Sequence, residues 1–144
     1  MIYTAQTKKA LKLCFEAHKD QLDKSGMPYV FHPFHLAEQM TDEETTTAAL
    51  LHDVVEDTDY TFEDLERMGF SPKVVEALKL LTHAPEVPYM EYVANIKPNR
   101  IARAVKLADL KHNSDMTRLD EASIDSYAIK RAEKYKRAIE LLNE

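Results

Sequence analysis

The apolar residues of this 144-residue chain recur at intervals of three and four in segment after segment. That period constrains the fold more than any other feature, because it turns one face of each segment inward only if the segment is a helix. Strand-like alternation is scarce, and Gly26 and Gly69 are the only glycines. The spacing predicts an all-α helical bundle. The length predicts a single domain over residues 1–144, large enough to bury a core without staples. No internal repeat or low-complexity stretch stands out.

Capping and breaking signals divide the chain. Thr4 predicts an N-cap for a helix running to about Asp20, with Ala10, Leu11, Cys14, Ala17 and His18 inward. Residues 23–29 read as a loop. Pro33 suits the first position of a second helix. Asp42 predicts the cap of a third helix over about residues 43–57. Thr61 and Asp64 resemble a capping box for a short helix that Gly69 stops, and Ser71-Pro72 opens another to about Thr82. Further helices are predicted near Tyr89–Ile96, over about residues 99–112, and over about residues 123–142. The last has Tyr127, Ala128, Ala132, Tyr135, Ala138, Ile139 and Leu142 on one face and a solvated Lys/Arg face opposite.

Cys14 is the only cysteine and lies in an apolar run, which predicts a buried thiol in a reducing compartment. No signal peptide, lipidation motif or 18-residue apolar run is present, so a soluble, cytoplasmic protein is expected, with no membrane partner. The net charge of −6 and the lack of a basic run argue against nucleic-acid binding, which depends on neutralising many phosphates. A small anionic substrate remains compatible if a metal and a few cations supply local positive charge.

The densest chemistry is in Leu50-Leu51-His52-Asp53-Val54-Val55-Glu56-Asp57-Thr58. On a continuous helix, residues 52, 53, 56 and 57 form one patch about one and a half turns long, roughly 7–8 Å. His32, His52, Asp53 and Asp109 can complete a mixed nitrogen–oxygen site of the kind that suits Mn²⁺, Fe²⁺ or Zn²⁺ better than Ca²⁺. A metal held there brings the pKa of its water toward neutrality. Glu56 and Asp57 can orient that water or carry its proton. A capped or salt-bridged helix end uses the same residue types, so spacing alone leaves both readings open.

Four blocks then resemble one family in order: Ala17–Gln21 with Lys24–Pro33, Ala49–Thr58, Thr61–Leu65, and Val105–Asn113. Together they are similar to the HD superfamily of metal-dependent phosphohydrolases, and most to the domain of the Rel/Spo family that removes the 3′-pyrophosphate from (p)ppGpp. The resemblance implies an all-α HD-domain bundle and a (p)ppGpp-hydrolase-like enzyme. By position it implies metal ligands His32, His52, Asp53 and Asp109, with Mn²⁺ the usual ion. It implies Glu56 and Asp57 as the catalytic pair assisting water attack, and Lys24, Ser25 and Asn113 as substrate contacts. His112 is expected to support the site from behind the ligands or to pack locally. His18 is expected to be a hydrogen-bonded core histidine, and His35 and His83 ordinary surface or helix-end residues.

The chain also departs from that family. Asp23 stands where the family has an arginine that stacks on the guanine base, and a carboxylate cannot replace a planar cation on a base face. Asp20 and Met27 replace a glycine and a glutamate, and Ser114-Asp115-Met116 follows Asn113 in place of Met-Arg-Thr. Three readings follow: a (p)ppGpp hydrolase, an HD phosphohydrolase acting on another nucleotide or phosphate ester, and a non-catalytic sensor. The partner in each is a small molecule.

Overall fold

Helix α1 (Ala5–His18) begins where the sequence predicts. The Thr4 hydroxyl accepts from the Thr7 amide at 3.2 Å, and Thr7 Oγ1 accepts from the Thr4 amide at 2.7 Å. This reciprocal pair satisfies two of the amides that every helix start leaves open. The computed structural model describes residues 1–144 apart from the side chain of Ser123. After α1 come α2 (Phe31–Glu38), α3 (Glu43–Leu51), α4 (Val54–Asp57), α5 (Phe62–Arg67), α6 (Pro72–Leu81), α7 (Tyr89–Ile96), α8 (Arg100–Asn113) and α9 (Ser126–Asn143). Short 3₁₀ turns cover Met116–Arg118 and Glu121–Ser123. Among the described residues the only extended pairing is an isolated bridge between Leu22 and Pro28, so the all-α expectation is borne out. Among the described residues no helix is long and apolar enough to cross a membrane.

The bundle is built around α3, on which α1, α2, α6 and α8 all pack. Every residue from Thr45 to His52 is buried. A helix buried all round is ordinarily apolar throughout, yet this one carries three threonines. Each satisfies its hydroxyl locally: Thr45 Oγ1 on Asp42 Oδ1 at 2.8 Å, Thr46 Oγ1 on the Asp42 carbonyl at 2.6 Å, Thr47 Oγ1 on the Glu43 carbonyl at 2.7 Å. No hydroxyl is left unpaired, and none bears the desolvation cost of an unmade bond. Leu36, Leu50, Leu51, Leu65, Leu78, Ile96 and Leu110 fill the surrounding core at 1% exposure or less. Burial of each such side chain contributes about 1.5–3 kcal/mol.

Three boundaries differ from the sequence reading. Helix α2 starts at Phe31, so Pro33 occupies its third position, not its first. The first four amides of a helix have no partner within it, so a proline there costs no hydrogen bond. The third predicted helix is two helices, parted at His52 and Asp53. Helix α9 starts at Ser126, after Asp125 caps it by accepting from the Ala128 amide at 2.9 Å. Tyr127 is 73% exposed instead of inward. Periodicity identifies a face of a helix but not how far along it a neighbour reaches. Ala128, Ala138 and Leu142 are buried on that face as predicted.

Candidate metal centre and the adjoining cavity

The break after α3 creates the geometry of the site. His52 occupies the C-cap with φ −59° and ψ −28°, and Asp53 turns the chain at φ −109° and ψ 2° before α4. His52 Nδ1 lies 2.7 Å from the Ala49 carbonyl. In an uninterrupted helix that carbonyl receives the amide four residues on, which is Asp53's. The ring competes for it, as short-range side-chain bonds do at helix ends. Residues 52, 53, 56 and 57 therefore do not form the single stacked patch that a continuous helix predicts.

The same hydrogen bond fixes the ring's chemistry. A carbonyl only accepts, so His52 Nδ1 carries the proton and a neutral ring turns the Nε2 lone pair inward. Nε2 is buried with no hydrogen-bond partner. It faces Asp53 Oδ2 at 3.0 Å and Asp109 Oδ1 at 3.6 Å. Nε2 set against two carboxylate oxygens calls for positive charge between them, either a proton on the ring or a metal ion. The charge balance says the same. Burial works against a charged His52, but Asp53 and Asp109 outweigh it and hold its pKa well above the ordinary value.

From α2, His32 brings Nε2 to 2.9 Å from Asp109 Oδ1. One ligand atom each from His32, His52 and Asp109 lies within 4.8 Å of the others, and all three residues are buried. Asp53 stands at the edge of this trio, touching His52 and accepting a hydrogen bond from the Tyr29 hydroxyl. The structure thus brings all four expected ligands to one place, three of them tightly. Two imidazoles and one or two carboxylates form a donor set suited to a borderline divalent ion.

Asp109 is held from behind by Lys106 Nζ on Oδ2 at 2.9 Å and by Asn113 Nδ2 on Oδ1 at 3.0 Å. Burial favours its neutral form, but Lys106 and the two histidines hold its carboxyl well below the usual range. Burial likewise opposes charge on Lys106, and Asp109 more than offsets it. His32 Nδ1 lies 2.7 Å from His112 Nδ1, and the two rings stack 3° from parallel. Burial, with Arg118 and the neighbouring histidines, lowers the His112 pKa to about 4. His35, on the solvent side, stacks on His112 with centroids 4.1 Å apart, a contact the sequence did not suggest.

Glu56 and Asp57 project from α4. Burial and the charge of Asp53 raise the pKa of both. Each has a partner the sequence reading missed: the His83 amide reaches Glu56 Oε1 at 3.3 Å, and Gln21 Nε2 reaches Asp57 Oδ2 at 3.2 Å. Gln21 is itself held by His18 Nδ1 at 2.8 Å, so the buried His18 is hydrogen-bonded as expected. His83 is therefore more than a helix-end residue. Its signal was weak, because a backbone amide donates whatever side chain it carries.

A cavity of about 250 Å³ adjoins the centre. His32, Lys24, Ser25 and Asn113 line it, so the three expected substrate contacts share one wall system with a candidate ligand. Glu56 and Asp57 lie outside this lining. Arg131 and Tyr135 of α9 also line the cavity, whereas the sequence reading assigned Arg131's face to solvent and Tyr135 to the core. Their spacing of four puts both on one side of α9, which was the available signal. Arg118 joins the walls: its guanidinium donates to the His112 carbonyl at 2.9 Å, and its carbonyl accepts from Ser25 Oγ at 3.0 Å. Asp23, the departure from the family, accepts from the Ser25 and Met27 amides at 2.9 and 3.0 Å and faces Arg118 at 3.9 Å.

The HD-domain family profile matches residues 10–118. The chain is 31% identical to the zebrafish (Danio rerio) guanosine-3′,5′-bis(diphosphate) 3′-pyrophosphohydrolase MESH1, over 92% of this chain and 79% of that protein. It is 33% identical to the Escherichia coli bifunctional (p)ppGpp synthase/hydrolase SpoT over 74% of this chain, but spans only 17% of SpoT's length. A solved structure of a metazoan SpoT orthologue, described as hydrolysing ppGpp, superposes with a TM-score of 0.80 at 27% identity, covering 99% of this chain and 88% of that one. A divalent metal is implied by this kind of domain, and His32, His52 and Asp109 are placed to hold one. On the family profile, the relatives and the shared fold, the chain belongs to the HD-domain family.

Proposed function

We propose that the chain, acting as one HD-type domain over residues 1–144, is a Mn²⁺-dependent phosphohydrolase that cleaves a pyrophosphate group from a nucleotide, with the 3′-pyrophosphate of (p)ppGpp as the first candidate. The observation that carries this reading is the buried, unpartnered His52 Nε2 facing Asp53 and Asp109. The names of the zebrafish and bacterial relatives supply the substrate candidate. The proposed setting is the cytoplasm, with a small molecule as partner and neither nucleic acid nor membrane.

His32, His52, Asp53 and Asp109 would hold the ion. When bound, a divalent cation neutralises phosphate oxygens and lowers the pKa of water at the site. The chain's own residues do the rest. Glu56 and Asp57, with pKa values raised by burial and by Asp53, are better matched to accept a proton near neutral pH than ordinary carboxylates. The His83 amide and Gln21 fix where those carboxylates point. Lys24, Ser25 and Asn113 would hold the substrate in the cavity, and Arg131 adds a guanidinium suited to a phosphate. Lys106 keeps Asp109 ionised and in place.

A second reading keeps the centre and changes the substrate to another nucleotide or a phosphate ester. Asp23 favours it, because the loop where the resembled family places a base-stacking cation here carries a carboxylate. One assay separates them. The purified chain with Mn²⁺ is offered ppGpp and a panel of nucleotides and phosphate esters. Pyrophosphate release from ppGpp supports the first reading, and turnover only elsewhere supports the second. No turnover on any of them, with Mn²⁺ bound, overturns both in favour of a sensor.

A further inference from the structure

His32 and His112 meet Nδ1 to Nδ1 at 2.7 Å, and in such a pair one ring must donate and the other accept. We infer that His112 is a positioning residue: its Nδ1 accepts from His32 Nδ1–H, fixing His32 as the tautomer whose Nε2 lone pair faces Asp109 and the metal. The inference rests on the metal-dependent reading above. It extends that reading to a residue outside the ligand set.

Three observations support it. First, His32 Nε2 is the ring nitrogen directed into the trio, 2.9 Å from Asp109 Oδ1. A neutral imidazole that ligates through Nε2 must keep its proton on Nδ1, and that proton needs a buried acceptor. His112 Nδ1 is the contact His32 Nδ1 makes. Second, His52 solves the same problem with the Ala49 carbonyl at 2.7 Å, so both histidines of the trio have Nδ1 anchored and Nε2 inward. Third, His112 is itself held. It stacks on His35 at 4.1 Å, and Arg118 grips its backbone carbonyl at 2.9 Å. Arg118 also receives the Ser25 hydroxyl on its own carbonyl, so the residue that orients the ligand is tied to the wall of the substrate cavity.

The test compares two variants of the full chain for Mn²⁺ affinity by calorimetry. His112→Asn loses the aromatic stack but places an acceptor oxygen where Nδ1 was. His112→Phe keeps the stack and has no acceptor. If His112 sets the tautomer, H112N holds Mn²⁺ within about threefold of the unmodified chain and H112F binds it about 10–100-fold more weakly, the usual size of such outer contacts. A residue that only packs gives the reverse order. Histidine ¹⁵N NMR with Zn²⁺ at the site supplies a second readout that needs no variant to fold: His32 Nδ1 should carry a proton and His112 Nδ1 should not. Unchanged affinity in H112F, equal loss in both variants, or a proton on His112 Nδ1 overturns the inference and leaves the proposed function standing. An unmodified chain that binds no Mn²⁺ overturns both.

Discussion

Asp109→Asn probes the centre most severely, because one carboxylate serves three partners. Its oxygens lie 2.9 Å from His32 Nε2 and 2.9 Å from Lys106 Nζ, with the Asp109 and Lys106 side chains 10% and 12% exposed. At that separation and an effective dielectric near 20, the Lys106 attraction alone is about 6 kcal/mol gross. Two effects reduce the net loss. Asparagine keeps one acceptor oxygen for the ammonium, and removing the charge relieves the repulsion between Asp109 and Asp53. What remains is a buried lysine without its counter-charge, which puts the loss at about 2–4 kcal/mol. For a domain of this size that is a fall in Tm of roughly 5–15 °C. The assay is urea unfolding in chelator, on the unmodified chain, D109N, Lys106→Met and the double variant. The double variant should recover at least about 1 kcal/mol relative to D109N, because it removes the stranded charge along with its partner. In parallel, D109N should weaken Mn²⁺ binding by at least about a hundredfold, since one anionic donor is gone. If D109N unfolds within about 0.5 kcal/mol of the unmodified chain and the double variant shows no recovery, the pair does not have the weight assigned to it. If Mn²⁺ binding is unchanged, Asp109 is not a ligand.

Asp53→Ala should likewise abolish tight binding of one equivalent of Mn²⁺, and retained binding would remove Asp53 from the ligand set. Glu56→Gln and Asp57→Asn should each lower kcat about 10²–10⁴-fold while leaving Mn²⁺ affinity in place, and a loss of metal instead would show that they belong to the centre itself. Burial, with a contribution from Asp53, raises the Cys14 thiol from 9.0 to about 12. A thiol reagent at pH 8 should therefore not label the folded chain. The sign for stability follows from the raised value: the contribution is complete below pH 9 and is lost as pH climbs toward 12, by at most about 1.4 kcal/mol per pH unit, so Cys14→Ala should flatten the alkaline limb of the stability profile. Gly69→Ala should cost about 1–2 kcal/mol in unfolding assays, because φ is +88° there and an added Cβ meets only the flexible end of Lys9.

The helical content and most starts were legible because they rest on local chemistry. Thr4, Thr61, Ser71 and Asp42 each cap a helix through bonds spanning three residues. The four candidate ligands could be named because the blocks that carry them resemble the HD superfamily; spacing alone left a capped helix end equally open. What escaped depends on contacts between distant segments or on backbone atoms. The break at His52 coincides with the ring reaching for Ala49's carbonyl, a contact that helical periodicity does not show. The His83 amide, the His18–Gln21–Asp57 chain and the Arg118 clasp join positions 27, 36 and 93 residues apart. Only the assembled bundle brings them together.

Asp23 has a role in the fold that its mismatch with the resembled family does not reveal. Compared with the resembled family, it is a base-stacking cation lost. In the fold it has work of its own: Oδ1 takes the Ser25 and Met27 amides, closing the 23–28 turn in which Gly26 adopts φ +79°. Oδ2 faces Arg118, whose carbonyl holds Ser25. The carboxylate is thus part of the scaffold that presents Lys24 and Ser25 to the cavity. Replacing it with arginine would not simply restore the family's wall. It would remove the turn's two acceptors and set one guanidinium against another, a like-charge contact in place of an attractive one. On this side of the cavity Asp23, Ser25 and Arg118 therefore form one connected unit, and a substitution at any of them disturbs the other two.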